Sequence, residues 1–121
     1  MLLLYEQLFN CYYPAGKRSR AAFILAWLER VQRAEPLVLS SLRVNHIQLR
    51  HLPAEPFVEY HLRAQQIQPN RFVAVAAYGD GGPWYIPTSE EYDKGGYELT
   101  STFCDASVDD LLTNAIKTLL N

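Results

Sequence analysis

The sequence predicts an α/β chain (α+β-like): a small three-stranded sheet of mixed direction, covered by helices. Three observations carry this. Two apolar-rich runs, 37–43 and 46–51, are separated by so short a connection that they must pair antiparallel as a β-hairpin. A helical stretch at 56–66 separates the second run from a third at 72–77, which makes a β-α-β unit with parallel strands. Helical patterns precede and follow this block, so both ends of the chain can cover the sheet.

Taken in order, residues 2–10 fit a short helix with Leu4, Leu8 and Phe9 inward, and Pro14 and Gly16 break it. Residues 17–34 fit a longer helix: Ile24, Trp27, Leu28 and Val31 recur at helical spacing, and Pro36 ends it. In 46–51, Ile47, Leu49 and His51 alternate with Gln48 and Arg50, predicting one buried face. Phe72 to Ala77 alternates little, as in a strand covered on both faces. Thr88-Ser89-Glu90-Glu91 has the spacing of a capping box for a short helix through Tyr92, which Gly95-Gly96 ends. Ser107 and Asp110 cap a last helix, whose Leu111, Leu112, Ala115, Ile116, Leu119 and Leu120 form its apolar face.

The 121 residues are read as one domain, 1–121, with 49% hydrophobic and 20% charged residues. A formal net charge of −2 gives no electrostatic reason to expect nucleic acid or an anionic membrane as partner. The oily start, Met1-Leu2-Leu3-Leu4, is interrupted by Glu6 and is too short to span a bilayer, so no transmembrane segment is expected. It has no basic region before it and does not read as a signal peptide. Cys11 and Cys104 make no disulfide framework: a single bridge between them fits the sequence, and two reduced thiols are the preferred reading.

Loops leaving the carboxyl ends of parallel strands build the ligand crevice of such sheets. Two loops qualify, and they are expected to be neighbours. One carries Glu55 between Pro53 and Pro56, either as a fixed site carboxylate or as an acid at a helix N-terminus. The other is Tyr78-Gly79-Asp80-Gly81-Gly82, either a site wall or a turn in which Gly79 and Gly82 supply conformational freedom and Asp80 shapes the loop. Pro83-Trp84-Tyr85 follows it rather than a helix, which argues against a nucleotide. Gly16-Lys17-Arg18-Ser19 matches only the end of a phosphate-binding loop, because Cys11 stands where the first glycine belongs. His46, His51 and His61 lack zinc-pair spacing and are read as packed, hydrogen-bonded side chains, His51 on the inward face of its strand.

Four segments carry a resemblance. They are His51-Leu52-Pro53-Ala54-Glu55-Pro56-Phe57-Val58-Glu59-Tyr60, Val73-Ala74-Val75-Ala76-Ala77-Tyr78-Gly79-Asp80, Gly82-Pro83-Trp84-Tyr85-Ile86-Pro87-Thr88 and Gly95-Gly96-Tyr97-Glu98. In order and spacing they resemble the C-terminal part of the catalytic domain of neutral/alkaline, non-lysosomal ceramidases and their bacterial relatives. Tyr12-Tyr13-Pro14 and Lys17-Arg18-Ser19-Arg20-Ala21 are similar to the bacterial branch. That family cleaves the amide of ceramide with one zinc ion.

By this resemblance Glu55 and Tyr85 match two metal ligands, and Tyr97 matches a tyrosine near the substrate amide. Ala54 replaces the family's usual glycine, and Asp80 replaces a common asparagine. The two histidine ligands of the family lie upstream of anything matched here. The resemblance therefore implies a C-terminal portion holding half a zinc site, with no tight zinc of its own and no activity alone. It further implies a homo-oligomer or a missing N-terminal partner region that completes the site, and a lipid amide as substrate class. A scaffold or interaction domain that kept the fold without the chemistry is the other reading. Relatives of this kind are often exported.

Overall fold

The structure is a computed structural model and describes residues 15–120. The helix expected at 2–10, Pro14 of the break after it and Cys11 lie outside the described residues. The chain divides into two compact units, Met1–Pro36 and Leu37–Asn121. In the first, helix α1 spans Ala15–Gln32, so Gly16 falls inside its first turn rather than before it. Its end is set where Pro36 forbids continuation. Ala34 turns left-handed (φ 52°), and Glu35 N–H closes back on the Arg30 carbonyl at 3.2 Å.

The second unit is the mixed sheet and its cover. Strand β1 (Ser40–Val44) pairs antiparallel with β2 (Ile47–Pro53), with Val44 opposite Ile47. Asn45 takes the intervening left-handed position (φ 53°), which its short polar side chain tolerates. After a two-residue strand β3 (Glu55–Pro56), helix α2 (Val58–Ile67) crosses to β4 (Phe72–Gly79), which lies parallel to β2. The sheet order is β1-β2-β4. A second, two-stranded parallel sheet joins β3 to β5 (Tyr85–Ile86). A 3-10 turn (Ser89–Glu91), the single-turn helix α3 (Tyr97–Thr100) and helix α4 (Val108–Leu120) complete the unit.

The hairpin, the β-α-β unit and the mixed direction agree with the sequence reading. One detail is reversed. In β2 the inward side chains are Gln48, Arg50 and Leu52, and Leu49 and His51 face outward. Strand side chains alternate, so Leu49 and Leu52 cannot both point inward. Leu52 wins because it meets Tyr60, Ala64 and Val73 in the core, and period two then fixes Arg50 and Gln48 on the same face.

Helix α2 packs on β4 and on α4. From α4 the core takes Leu112, Ile116 and Leu120, one residue per turn. Leu111, expected on that face, is exposed because it lies a step round the helix from this row. Each fully buried aliphatic side chain is worth about 1.5–3 kcal/mol of transfer free energy. Tyr60 is fully buried and donates its hydroxyl to the Pro87 carbonyl at 2.9 Å, tying α2 to the segment after β5. Burial, then the neighbouring Asp109, pushes its phenol well above the ordinary value.

Asp109 is the polar hub of this layer. It pairs with Arg63 of α2 and accepts from the Ser89 N–H at 2.8 Å and hydroxyl at 3.0 Å. The sequence predicts a local capping box at this turn, but Thr88 makes no side-chain cap. The remote carboxylate of Asp109 takes over that task. Ser107, expected to cap α4, gives its N–H and hydroxyl to Asp105.

Burial, the largest influence on Asp109, pushes its carboxyl up, but Arg63 and Ser89 together outweigh it and hold it at about 2. An acid depressed by folding adds stability above its unfolded value of about 3.9, and that stability is lost as pH falls toward 2. Asp109→Asn is expected to cost about 2–3 kcal/mol at pH 7 in urea unfolding and to flatten the stability loss between pH 4 and 2. An unchanged acid limb in the variant would contradict this role.

Candidate functional site

The site is built at the carboxyl ends of β2 and β4, where the register slips between His51 and Pro53. At the slip Ala54 turns left-handed (φ 57°). Its N–H is shared by the carbonyls of Gly79 (3.0 Å) and Gly81 (2.9 Å), and its carbonyl accepts from Tyr78 N–H at 2.6 Å. The corner and the glycine-rich loop are therefore one bonded unit. Tyr78, Asp80, Gly81, Gly82 and Trp84 all take positive φ, which concentrates backbone strain here.

Glu55 leaves this corner on β3, not on a helix. Its N–H donates to the Trp84 carbonyl at 2.9 Å, and the strand pairing sets Glu55 opposite Tyr85. Its carboxylate accepts the Tyr78 hydroxyl at 3.0 Å. Tyr85 is wedged edge-on between Phe57 (centroids 6.5 Å, 85°) and Tyr97 (6.0 Å, 78°). Behind it, Thr102 donates to the Tyr85 carbonyl at 2.7 Å, and Trp84 stacks on Phe103 at 5.2 Å. Glu55, Tyr85 and Tyr97, singled out in the sequence on separate segments, thus lie together.

A cleft of about 440 Å³ opens beside them, lined by Glu55, Phe57, Val58, Tyr85, Glu98 and Leu99 among others. Tyr78, exposed and bonded to the cleft residue Glu55, is a neighbour that sequence reasoning left unassigned. Its position at the end of a parallel strand was the available signal, although that strand, expected to be covered on both faces, is open on one, with Phe72 exposed. Both phenols are held protonated. Tyr85 is raised by burial, then by the charge of Glu55 and by Tyr97. Tyr78 is raised by its hydrogen bond to Glu55. With the Tyr78 hydrogen bond given to Glu55, the group presents the Tyr85 O–H as donor and the Glu55 carboxylate as acceptor, a pair suited to a neutral polar head such as an amide.

The loop-shaping residues have visible tasks. Asp80 accepts the Val38 N–H at 2.7 Å, anchoring the loop to the chain before β1. At Gly79 a Cβ would fall 2.2 Å from the His51 ring. At Gly82 (φ 109°) it would fall 2.9 Å from the Ala54 Cβ and 3.4 Å from the Ala54 nitrogen. Among the three histidines, His51 lies against Gly79 and 3.4 Å from the Ser40 hydroxyl, and His61 contacts the Gln65 amide at 2.9 Å.

A zinc ion needs three or four protein ligands. Among the described residues no three His, Cys, Asp or Glu side chains converge on one point. Glu55 and Tyr85 offer two oxygens, one of them a phenol held in its protonated form. This donor set does not fit zinc by itself. Cys104 is half-buried, and its thiol is pushed up to about 11, chiefly by burial, which makes it a poor ligand or nucleophile. Comparison of the chain with protein families, curated proteins and solved structures returns no match.

Gly82→Ala is expected to cost about 2 kcal/mol, because its φ and the Ala54 backbone are both fixed. Gly79→Ala is expected to cost about 1 kcal/mol or less, because the exposed His51 ring can swing aside, and His51→Ala should remove most of that cost. Chemical denaturation of Gly82→Ala, Gly79→Ala, His51→Ala and the Gly79→Ala/His51→Ala double variant checks the order. Equal costs at the two glycines would contradict this picture of the corner.

Proposed function

We propose that this chain is the C-terminal, substrate-facing part of a ceramidase-like, zinc-dependent amide hydrolase, inactive alone. The observation that carries the reading is the pairing of Glu55 with Tyr85 across β3 and β5, with Tyr97 on the Tyr85 ring. The same three residues match the family's motifs in the sequence. In this role the Tyr85 hydroxyl donates to the carbonyl oxygen of a lipid amide, and Glu55, held by the Tyr78 hydroxyl, accepts from its N–H. Phe57, Val58 and Leu99 line the cleft where an acyl chain would lie. Glu55 and Tyr85 would be two oxygens of such a metal site, whose Lewis-acid chemistry would need further ligands from outside the described residues.

A second reading is an enzyme half completed by a partner chain or by self-association. It is favoured by the outward sheet face, where Leu42, Val44, Leu49 and Phe72 are each 43–60% exposed. Contiguous apolar surface of this kind marks association sites. A non-catalytic scaffold would use the same face.

With a soluble short-chain N-acyl amide as probe, Trp84 fluorescence is expected to report saturable binding. Tyr85→Phe and Glu55→Gln should each weaken it about tenfold. Unaltered binding in both variants would count against the reading. Calorimetric titration of the isolated chain is expected to show no stoichiometric zinc binding at micromolar concentration. Tight one-to-one binding that disappears in Glu55→Ala would overturn the half-site assignment.

A further inference from the structure

The inward face of β2 holds a charge that no described carboxylate compensates. Arg50 is 2% exposed, yet its partners are only the Gln48 side-chain oxygen (2.7 Å) and the Leu49 carbonyl (3.3 Å). Its Nε is buried without a hydrogen-bond partner. Among the described residues no carboxylate pairs with it. A buried guanidinium normally has an acid beside it, since removing a charge from water costs several kcal/mol.

Here the neighbours have the same sign. Arg43 stands opposite Gln48 in the β1–β2 register, and side chains opposite one another share a sheet face. Arg71 immediately precedes β4, whose Val73 lies opposite Gln48 on the other side. Arg43 and Arg71 are exposed and make no ion pair among the described residues. After burial, their charges are what lower the Arg50 pKa. Among the described residues no acid contributes.

We infer that Arg43, Arg50 and Arg71, with the Gln48 amide, form a binding site for a phosphate-class oxyanion, free or as a phosphate monoester. Three guanidinium groups with no counter-charge among the described residues match a dianion better than a singly charged carboxylate. Guanidinium forks also suit phosphate oxygens. The division of labour follows from exposure. Arg43 and Arg71 are accessible arms that contact the ligand, and Arg50 supplies positive field from beneath, where low dielectric strengthens it. The site lies near the amino ends of β2 and β4, away from the Glu55 cleft, and does not depend on the proposed amide chemistry.

The test uses the full chain, titrated calorimetrically and by thermal unfolding with inorganic phosphate and separately with glycerol 3-phosphate. Sodium chloride at matched ionic strength and acetate are the references. Phosphate or its monoester is expected to raise the unfolding temperature where chloride and acetate do not. The stronger arm tells whether the site takes the free ion or the ester. Arg43→Gln and Arg71→Gln, both at exposed positions, should each weaken binding about fivefold without loss of fold. The paired change Gln48→Leu with Arg50→Met leaves no buried polar atom behind, and should keep the ligand-free chain at least as stable while abolishing the response. No response to either anion beyond the chloride reference would overturn the proposal. So would wild-type affinity in Arg43→Gln and Arg71→Gln.

Discussion

The three hydrogen bonds made by the backbone of Ala54 are what the rest of this site depends on. Its N–H serves two loop carbonyls and its carbonyl holds Tyr78, so the end of β2 and the loop after β4 move as one piece. From there Glu55 is carried onto β3, and β3 sets Tyr85 in register. The cost is a run of positive φ angles on residues that are not all glycine. The surrounding layer offsets that cost. The Asp109 hub and the buried Tyr60 hydroxyl fix the segment just beyond β5, so that β5 has a rigid neighbour on each side.

Much of this was legible in the sequence, for identifiable reasons. The short connection around Asn45 permits only a hairpin, and the helix between β2 and β4 requires parallel strands. Those two facts bring the loops of Glu55 and Tyr78 to one sheet edge. The burial phase of β2 was not legible. Ile47, Leu49 and His51 look like its apolar face until Leu52 is known to be the residue that reaches Tyr60 and Val73. Nor was β3, a two-residue strand whose partner lies thirty positions on. The 3-10 turn after Thr88 shows the same limit: its capping group comes from Asp109, which no local pattern could reveal.

The reversed phase of β2 has consequences beyond bookkeeping of faces. It places Gln48 and Arg50 inside and leaves Leu42, Val44, Leu49 and Phe72 outside. One face of the sheet therefore carries a buried charge with no ion pair among the described residues, and the other carries exposed apolar side chains. Natural domains seldom keep either feature without a binding role, since each opposes folding or solubility. The chain thus holds three distinct surfaces: a cleft of phenols and carboxylates, a cationic end of the sheet, and an apolar face.

The central claim is that Glu55, Tyr85 and Tyr97 act together as one wall that receives an amide. Backbone and aromatic-ring NMR shifts recorded while a soluble N-acyl amide is added test it most directly. The account requires the perturbed signals to cluster on Glu55, Tyr78, Tyr85, Tyr97 and Leu99. Perturbation centred instead on Leu42, Leu49 and Phe72, or no saturable perturbation at all, would contradict it.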